Sequence, residues 1–346
     1  MKKLAILTSR ATSLSNVAKD IATVARELGL IPNIYDTPQP SFLIRSKYDG
    51  CIVIMTFSPL LTRVWFLRAY ELRFSEKVPT ILYTTVEGRP RRDLIPRWYF
   101  RLDNIVANSN FTKEMIESVG FNVLDVVYHG IDLNMTERSK EYIPYIKKKL
   151  VESTKADFIV GTVAMNHPRK GLDMLKNVAS KVLQKNKNIK FYLITSSFTE
   201  SVPNLVVDTS FGSLPRLEIL ARIGSFTYLL IPSLAEGFGL PLVEANAMGV
   251  PVIHPDYAPL SEITCSGNLR VKVKNVFYND TGDGIEYEYH IYDTNEMADK
   301  IIEAYDIYKN YKSQYEDMKA KVVENAKRFD IRKLYPKLIK LLEENF

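Results

Sequence analysis

The stretch Ile231-Pro-Ser-Leu-Ala-Glu236-Gly-Phe-Gly-Leu-Pro-Leu-Val-Glu244-Ala-Asn-Ala-Met-Gly-Val-Pro-Val-Ile253 decides the fold. It reads as the end of an apolar strand, a loop with two glycines, a helix entered through Pro241 and closed near Gly249, and the start of a further strand. Strand, loop, helix and strand form the repeating unit of a parallel sheet, in which ligands bind beyond the carboxyl ends of the strands. The loop delivers backbone N–H groups at a helix N-terminus, where the partial positive charge suits a phosphate. Gly237 and Gly239 are expected to let a ligand approach the backbone closely. Glu236 lies in the loop and Glu244 about one turn into the helix, so two carboxylates can face one ligand at separate points along its length. Carboxylates beside a phosphate make sense where they accept hydroxyl protons, which points to a ligand combining phosphates with sugar hydroxyls.

Working upstream, the strand Phe158–Ala164 leads into Met165-Asn-His-Pro-Arg-Lys170-Gly, with Lys170 entering a helix and Arg169 beside it. A cation at that point can neutralise a departing diphosphate. Strands and amphipathic helices alternate on both sides. Before residue 130 the strands are Lys3–Ser9, Ile31–Asp36, Gly50–Phe57, Thr80–Thr85, Asn104–Asn108 and Val123–Tyr128, with helices at Ser15–Leu28, Pro59–Phe74 and Asn110–Val119. Residues 133–156 are polar and lysine-rich without a continuous apolar face, as expected of a connection containing a helix. After Leu260, two period-two stretches around Asp280-Thr-Gly-Asp-Gly284 suggest a hairpin-like insertion. The expected organisation is two doubly wound parallel-sheet units, residues 1–135 and 157–330, joined through 136–156, with a helix at 331–346 returning to the first unit.

Of 346 residues, 46% are hydrophobic and 25% charged, which excludes collagen-like, low-complexity and wholly disordered chains. Cys51 and Cys265 stand far apart, so neither a disulfide framework nor a cysteine zinc site is indicated. No run reaches the roughly 18 apolar residues of a membrane span. A cytoplasmic protein that can touch a membrane is expected. The net charge is +6, and residues 1–130 hold 17 basic against 12 acidic groups, so +5 sits there. The segment Gly88–Arg101 is its densest source, and Arg89, Arg91, Arg92, Arg97 and Trp98 are candidates for an acceptor or membrane face. Single-stranded nucleic acid is a second possible partner for such a surface, and arginines rimming a buried aromatic core are the third reading.

The string from Pro232 to Ala245, with Glu236 and Glu244 about a Gly-Phe-Gly-Leu-Pro core, resembles the E-x7-E signature of family-four retaining glycosyltransferases. The resemblance implies the GT-B fold: two Rossmann-like domains facing a central cleft. It also implies transfer of a sugar from a nucleotide diphosphate sugar to a hydroxyl acceptor, with retention at the anomeric carbon and without a metal or other cofactor. Glu236 then contacts the transferred sugar, Gly237, Phe238, Gly239 and Leu240 lie against sugar and diphosphate, and Glu244 holds the ribose hydroxyls. Lys170 matches the family's diphosphate-binding lysine. The family's arginine position falls on Met165, and Arg169 is its candidate replacement. Glu87 occupies the place where many members carry a histidine near the acceptor, and is expected to orient or deprotonate the acceptor hydroxyl. His129 stands where asparagine is usual and is read as positional. The four histidines lack metal-ligand spacing and no Asp-x-Asp occurs. Two other readings stay open: another GT-B enzyme, an epimerase or a phosphorylase, and a non-catalytic relative binding nucleic acid or membrane.

Overall fold

The computed structural model describes residues 1–198 and 202–344; the last two residues of the expected 331–346 helix lie outside the described residues. Fifteen strands are described. β1 (Lys3–Thr8), β2 (Ile31–Tyr35), β3 (Gly50–Thr56), β4 (Thr80–Thr85), β5 (Gly88–Pro90), β6 (Ile105–Ala107) and β7 (Val123–Val126) belong to the first part. β8 (Phe158–Val163), β9 (Ile189–Ile194), β10 (Leu205–Asp208), β11 (Tyr228–Leu230), β12 (Val252–Pro255), β13 (Leu269–Val271), β14 (Val273–Asp280) and β15 (Ile285–Tyr292) follow.

Two six-stranded parallel sheets result, ordered β2-β1-β3-β4-β6-β7 and β10-β9-β8-β11-β12-β13. Both are doubly wound: the strand order reverses at β1/β3 in the first sheet and at β8/β11 in the second. A crevice opens where the order reverses, because the following helices go to opposite faces. In the second sheet the two loops bordering it are those after β8 and β11. They carry Arg169 and Lys170, and Glu236 through Gly239.

Helix Thr12–Glu27 follows β1 and buries Val17, Ala18, Ile21, Val24 and Ala25 on one stripe; Gly29, with φ +82°, ends it. Helix Ile331–Glu344 covers the same face of the first sheet. Ile331, Tyr335, Leu338, Ile339 and Leu342 are buried among Leu4, Ile6, Ile52 and Ile81. Each such side chain contributes about 1.5–3 kcal/mol relative to an exposed one.

Several expected elements differ from those observed. Residues 133–156 are helical for most of their length, in Leu133–Ser139 and Ile143–Thr154, and both helices pack on helix Arg216–Gly224 of the second unit. The apolar face absent from the sequence as one stripe is shared between two short helices joined by a 3₁₀ turn at Lys140–Tyr142. The expected helix Pro59–Phe74 is α-helical only over Arg63–Tyr70, ends in a π turn, and leaves Leu60 and Leu61 exposed before it.

The hairpin β14–β15 is present, and β15 also pairs antiparallel with β5 of the first part, through Ile285↔Pro90, Glu286↔Arg89 and Tyr287↔Gly88. A Cβ on Gly88 would lie 2.1 Å from the Glu286 carbonyl oxygen, so only glycine permits this approach. A three-stranded sheet therefore crosses from one unit to the other beside the loop that carries Glu87.

Candidate active site

The loop after β8 tightens into a 3₁₀ turn at Pro168–Lys170, and Gly171 turns left-handed with φ +64°. A Cβ there would meet the Pro232 carbonyl oxygen at 2.1 Å, so the loops after β8 and β11 are packed directly together. The backbone N–H groups of Leu234 and Ala235 donate to the Arg169 carbonyl at 2.8 and 3.3 Å. This register brings Lys170 Nζ to 2.6 Å from Glu236 Oε1. Tyr257 braces the loop from behind: it stacks on His290 with centroids 4.0 Å apart and donates its hydroxyl to the Ser233 carbonyl.

Arg169 reaches across the seam between the units, its Nη2 lying 2.9 Å from Glu87 Oε1, while its Nη1 is buried without a hydrogen-bond partner among the described residues. Two cations and two carboxylates thus meet at this end of the seam. Burial favours a neutral Glu236, yet Lys170 and Arg169 overcome it and hold the carboxyl below its ordinary range. Lys170 is pushed below the usual lysine value by burial and by Arg169. Beside them, the backbone N–H groups of Gly237, Phe238 and Gly239 donate to no protein group among the described residues.

Glu244 lies further along the seam, buried on helix Leu240–Ala247. The Arg216 guanidinium stands between two acids. Its Nη1 contacts both oxygens of Asp20 at 2.6 and 2.7 Å, and its Nη2 is 3.8 Å from Glu244. Burial dominates here and raises both carboxyls, Glu244 to about 7 and Asp20 to about 6, against the attraction of Arg216.

The sequence-predicted residues divide into four groups: an ionic cluster, Glu244, the glycine loop and the arginine-rich segment. Glu236, Lys170, Arg169 and Glu87 come together as one cluster, and Glu244 stands at its own end of the seam. In the glycine loop, Gly237, Phe238, Gly239 and Leu240 each have protein neighbours. A Cβ on Gly237 would lie 2.2 Å from Thr85 Oγ1, and the Gly237 carbonyl accepts from the Ser109 and Thr112 hydroxyls at 3.1 and 3.4 Å. The close approach that requires Gly237 is therefore that of the first unit. Phe238 is buried against Tyr128, His129 and Phe329. Gly239 has φ +98° and faces Leu260, and Leu240 packs between the cores of both units.

The arginine-rich segment does not form one basic face. Arg89 pairs with Glu286 and lies over Tyr278, and Arg91 pairs with Asp93 and Asp280, so hairpin acids offset both. Arg92 lies over Phe100, and Trp98 is partly buried, edge-on to Tyr70 and Tyr99. Arg97 is exposed.

His129 is buried, contacts the Tyr83 hydroxyl at 2.9 Å, and is driven down to about 3 by burial, so it is neutral. Glu262 takes the backbone N–H groups of Asn110 and Phe111 at 2.9 and 2.8 Å, capping helix Asn110–Ser118 of the opposite unit. Among the described residues, no group of three or more His, Cys, Asp or Glu side chains could hold a metal ion.

Arg216 and Asp20 are site residues that the sequence reading did not single out. Asp20 carried a signal: it falls between Val17, Ile21 and Val24 on the core stripe of an amphipathic helix, where an acid needs a partner. Arg216 stands at a helix start within Phe211–Leu220, a segment that resembles one lying near the nucleotide base in the glycosyltransferase family, but nothing distinguishes the arginine itself there.

A family model described as Glycosyl transferases group 1 matches residues 157–306. The uncharacterized glycosyltransferase 335 of Sulfolobus islandicus rod-shaped virus 1 is 31% identical over 346 residues, covering 97% of this chain and 99% of the viral protein. Among solved structures, Anabaena HepE in complex with UDP and glucose superposes with a TM-score of 0.71 at 16% identity, covering 99% of this chain and 100% of the Anabaena chain. An E. coli trehalose-6-phosphate structure bound with UDP-2-fluoro glucose gives a TM-score of 0.69 at 12% identity, covering 99% of each chain. At these identities the likeness shows the shared fold, the two-sheet GT-B arrangement.

Proposed function

The chain belongs to the glycosyltransferases, and from that premise we propose that it moves a sugar from a nucleotide diphosphate sugar to a hydroxyl acceptor, with retention and without a metal. The observation that carries this reading is the Lys170–Glu236 contact at 2.6 Å beside the unpartnered N–H groups of Gly237 to Gly239. Cation and amides suit the diphosphate, and the carboxylate suits a sugar hydroxyl. Glu244, near neutral and buried, suits the ribose hydroxyls. In the proposed step the bond from the anomeric carbon to the diphosphate oxygen breaks as the acceptor oxygen bonds on the same face. The departing phosphate oxygen accepts the acceptor proton, and Lys170 with Arg169 stabilises the charge that develops.

The test is a thermal-shift screen of nucleotide sugars, UDP-linked ones first. Release of nucleoside diphosphate is then followed with and without EDTA, and the product's anomeric configuration is read by NMR. Release in EDTA with a retained anomer is the expected result. Reversible donor isomerisation would favour an epimerase, phosphate-dependent release of sugar phosphate a phosphorylase, and no turnover with tight oligonucleotide binding a non-catalytic relative.

For the acceptor side we propose peripheral contact with an anionic membrane interface in the cytoplasm. Leu60, Leu61, Val64 and Leu67 are 46%, 72%, 54% and 41% exposed, and Arg63 and Arg97 nearby have no ion-pair partner among the described residues. No helix among the described residues is long and apolar enough to cross a membrane. Co-sedimentation with anionic vesicles is expected to exceed that with neutral ones and to fall several-fold in Leu61→Ser/Arg97→Gln. Equal binding to both vesicle types would remove this surface from the reading.

A further inference from the structure

Arg169 offers a planar fork of donors, a shape that accepts two oxygens of a carboxylate or two of a phosphate equally well. Nη2 reaches Glu87, and Nη1 on the other arm is buried without a hydrogen-bond partner among the described residues. The guanidinium and the carboxylate are 14% and 13% exposed, so water screens their attraction poorly. The local charge is already balanced: Arg169 and Lys170 face Glu87 and Glu236. A diphosphate entering beside Lys170 brings at least two further negative charges against the same two cations, and the low-dielectric seam does not hold them all.

One carboxylate must therefore give way, and the fold distinguishes the two. Glu236 is held to Lys170 within a single unit, on a loop braced by Tyr257 and packed against Gly171. Glu87 comes from the opposite unit, on the turn between β4 and β5, and its carboxylate meets the second unit through Arg169. Its departure leaves the signature loop intact.

Resting on the glycosyltransferase reading, we infer that Glu87 is a built-in competitor of the donor diphosphate for the Arg169 guanidinium, and that its displacement by phosphate frees Glu87 for the acceptor hydroxyl. Donor binding then precedes productive acceptor binding. The carboxylate that would orient the acceptor is engaged with Arg169 until phosphate replaces it, so the ion pair also guards the site against acceptor alone. No covalent change accompanies the exchange: one anion replaces another on the same cation.

The test uses the full chain and two probes, inorganic pyrophosphate and UDP, titrated calorimetrically into wild type, Glu87→Gln and Glu87→Ala. Both variants are expected to bind pyrophosphate about tenfold more tightly than wild type, since a buried competing charge is removed. With a donor found by screening, donor KM is expected to fall while kcat for transfer falls at least tenfold. A general loss of structure would move the two parameters otherwise. Unchanged or weaker pyrophosphate binding in both variants, in a wild type that turns over a nucleotide sugar, overturns the competitor and leaves the transferase reading standing. A wild type that binds neither probe and turns over no donor overturns both.

Discussion

The two ends of the seam use the same kinds of side chain in different ratios. At one end two carboxylates, Glu236 and Glu87, meet two cations, Lys170 and Arg169; at the other, Glu244 and Asp20 share Arg216 as their one ion-pair partner among the described residues. Balance keeps Glu236 ionised, whereas the deficit of one cation leaves burial in command and raises Glu244 and Asp20. The difference teaches what each end can receive. A balanced cluster of charges can exchange one anion for another, and near-neutral carboxyls are suited to hydroxyl groups. An anionic moiety and a hydroxylated one, received apart along a single seam, fit the proposed nucleotide-sugar donor.

The comparison is most severely tested at Glu236. Glu236→Gln removes the charge that matches Lys170 while keeping the shape, and transfer is expected to fall by about 10³-fold or more, measured as nucleoside diphosphate release. A loss below tenfold would take Glu236 out of the reaction. Next comes Arg216→Met, which leaves two buried acids without a cation. Unfolding in urea is expected to show a loss of about 3–5 kcal/mol, with much of it recovered in Asp20→Asn/Arg216→Met. Full stability of the single variant would show that Arg216 balances nothing.

The smallest effect concerns pH. Asp20 and Glu244 have raised folded values, so the stability they contribute is fully present below the ordinary carboxyl range and is lost as pH rises through about 6 to 7. Ionising one such group at neutral pH costs on the order of 3 kcal/mol at most. Glu236, held low, acts in the opposite sense: its contribution is present above the ordinary range and is lost as pH falls through its folded value. Thermal melts between pH 5 and pH 8 are expected to show stability declining toward pH 8, with a flatter profile in Asp20→Asn. An unchanged slope would separate Asp20 from that titration.

Much of this arrangement is legible in the sequence where the information is local. Strands β1, β4 and β10 are apolar runs bounded by polar residues, and the signature loop announces its glycines, proline and acids within a dozen residues. What was not legible is long-range. Gly88-Arg-Pro90 gives no strand signal, since its partner β15 lies almost two hundred residues further on. Arg89 and Arg91 read as a free basic face for the same reason, their partners Glu286 and Asp280 being in the hairpin. Gly237 is expected to admit a ligand close to its backbone, and sequence does not say that Thr85 and Val86 of the opposite unit lie against it. Arg216 and Asp20 define one end of the seam only because two units meet there.

The helix Ile331–Glu344, which completes the core over β1 and β3, has a consequence for the order in which the protein can be made. The ribosome delivers the first sheet early, and with it a face lined by Leu4, Ile6, Ile52 and Ile81. Helix Thr12–Glu27 covers part of it at once, and the rest of the cover is encoded far downstream, in Ile331–Glu344. Until that helix emerges, the part of this face that helix Thr12–Glu27 does not cover stays open. The first unit therefore completes its core only after residues 157–330 have been translated.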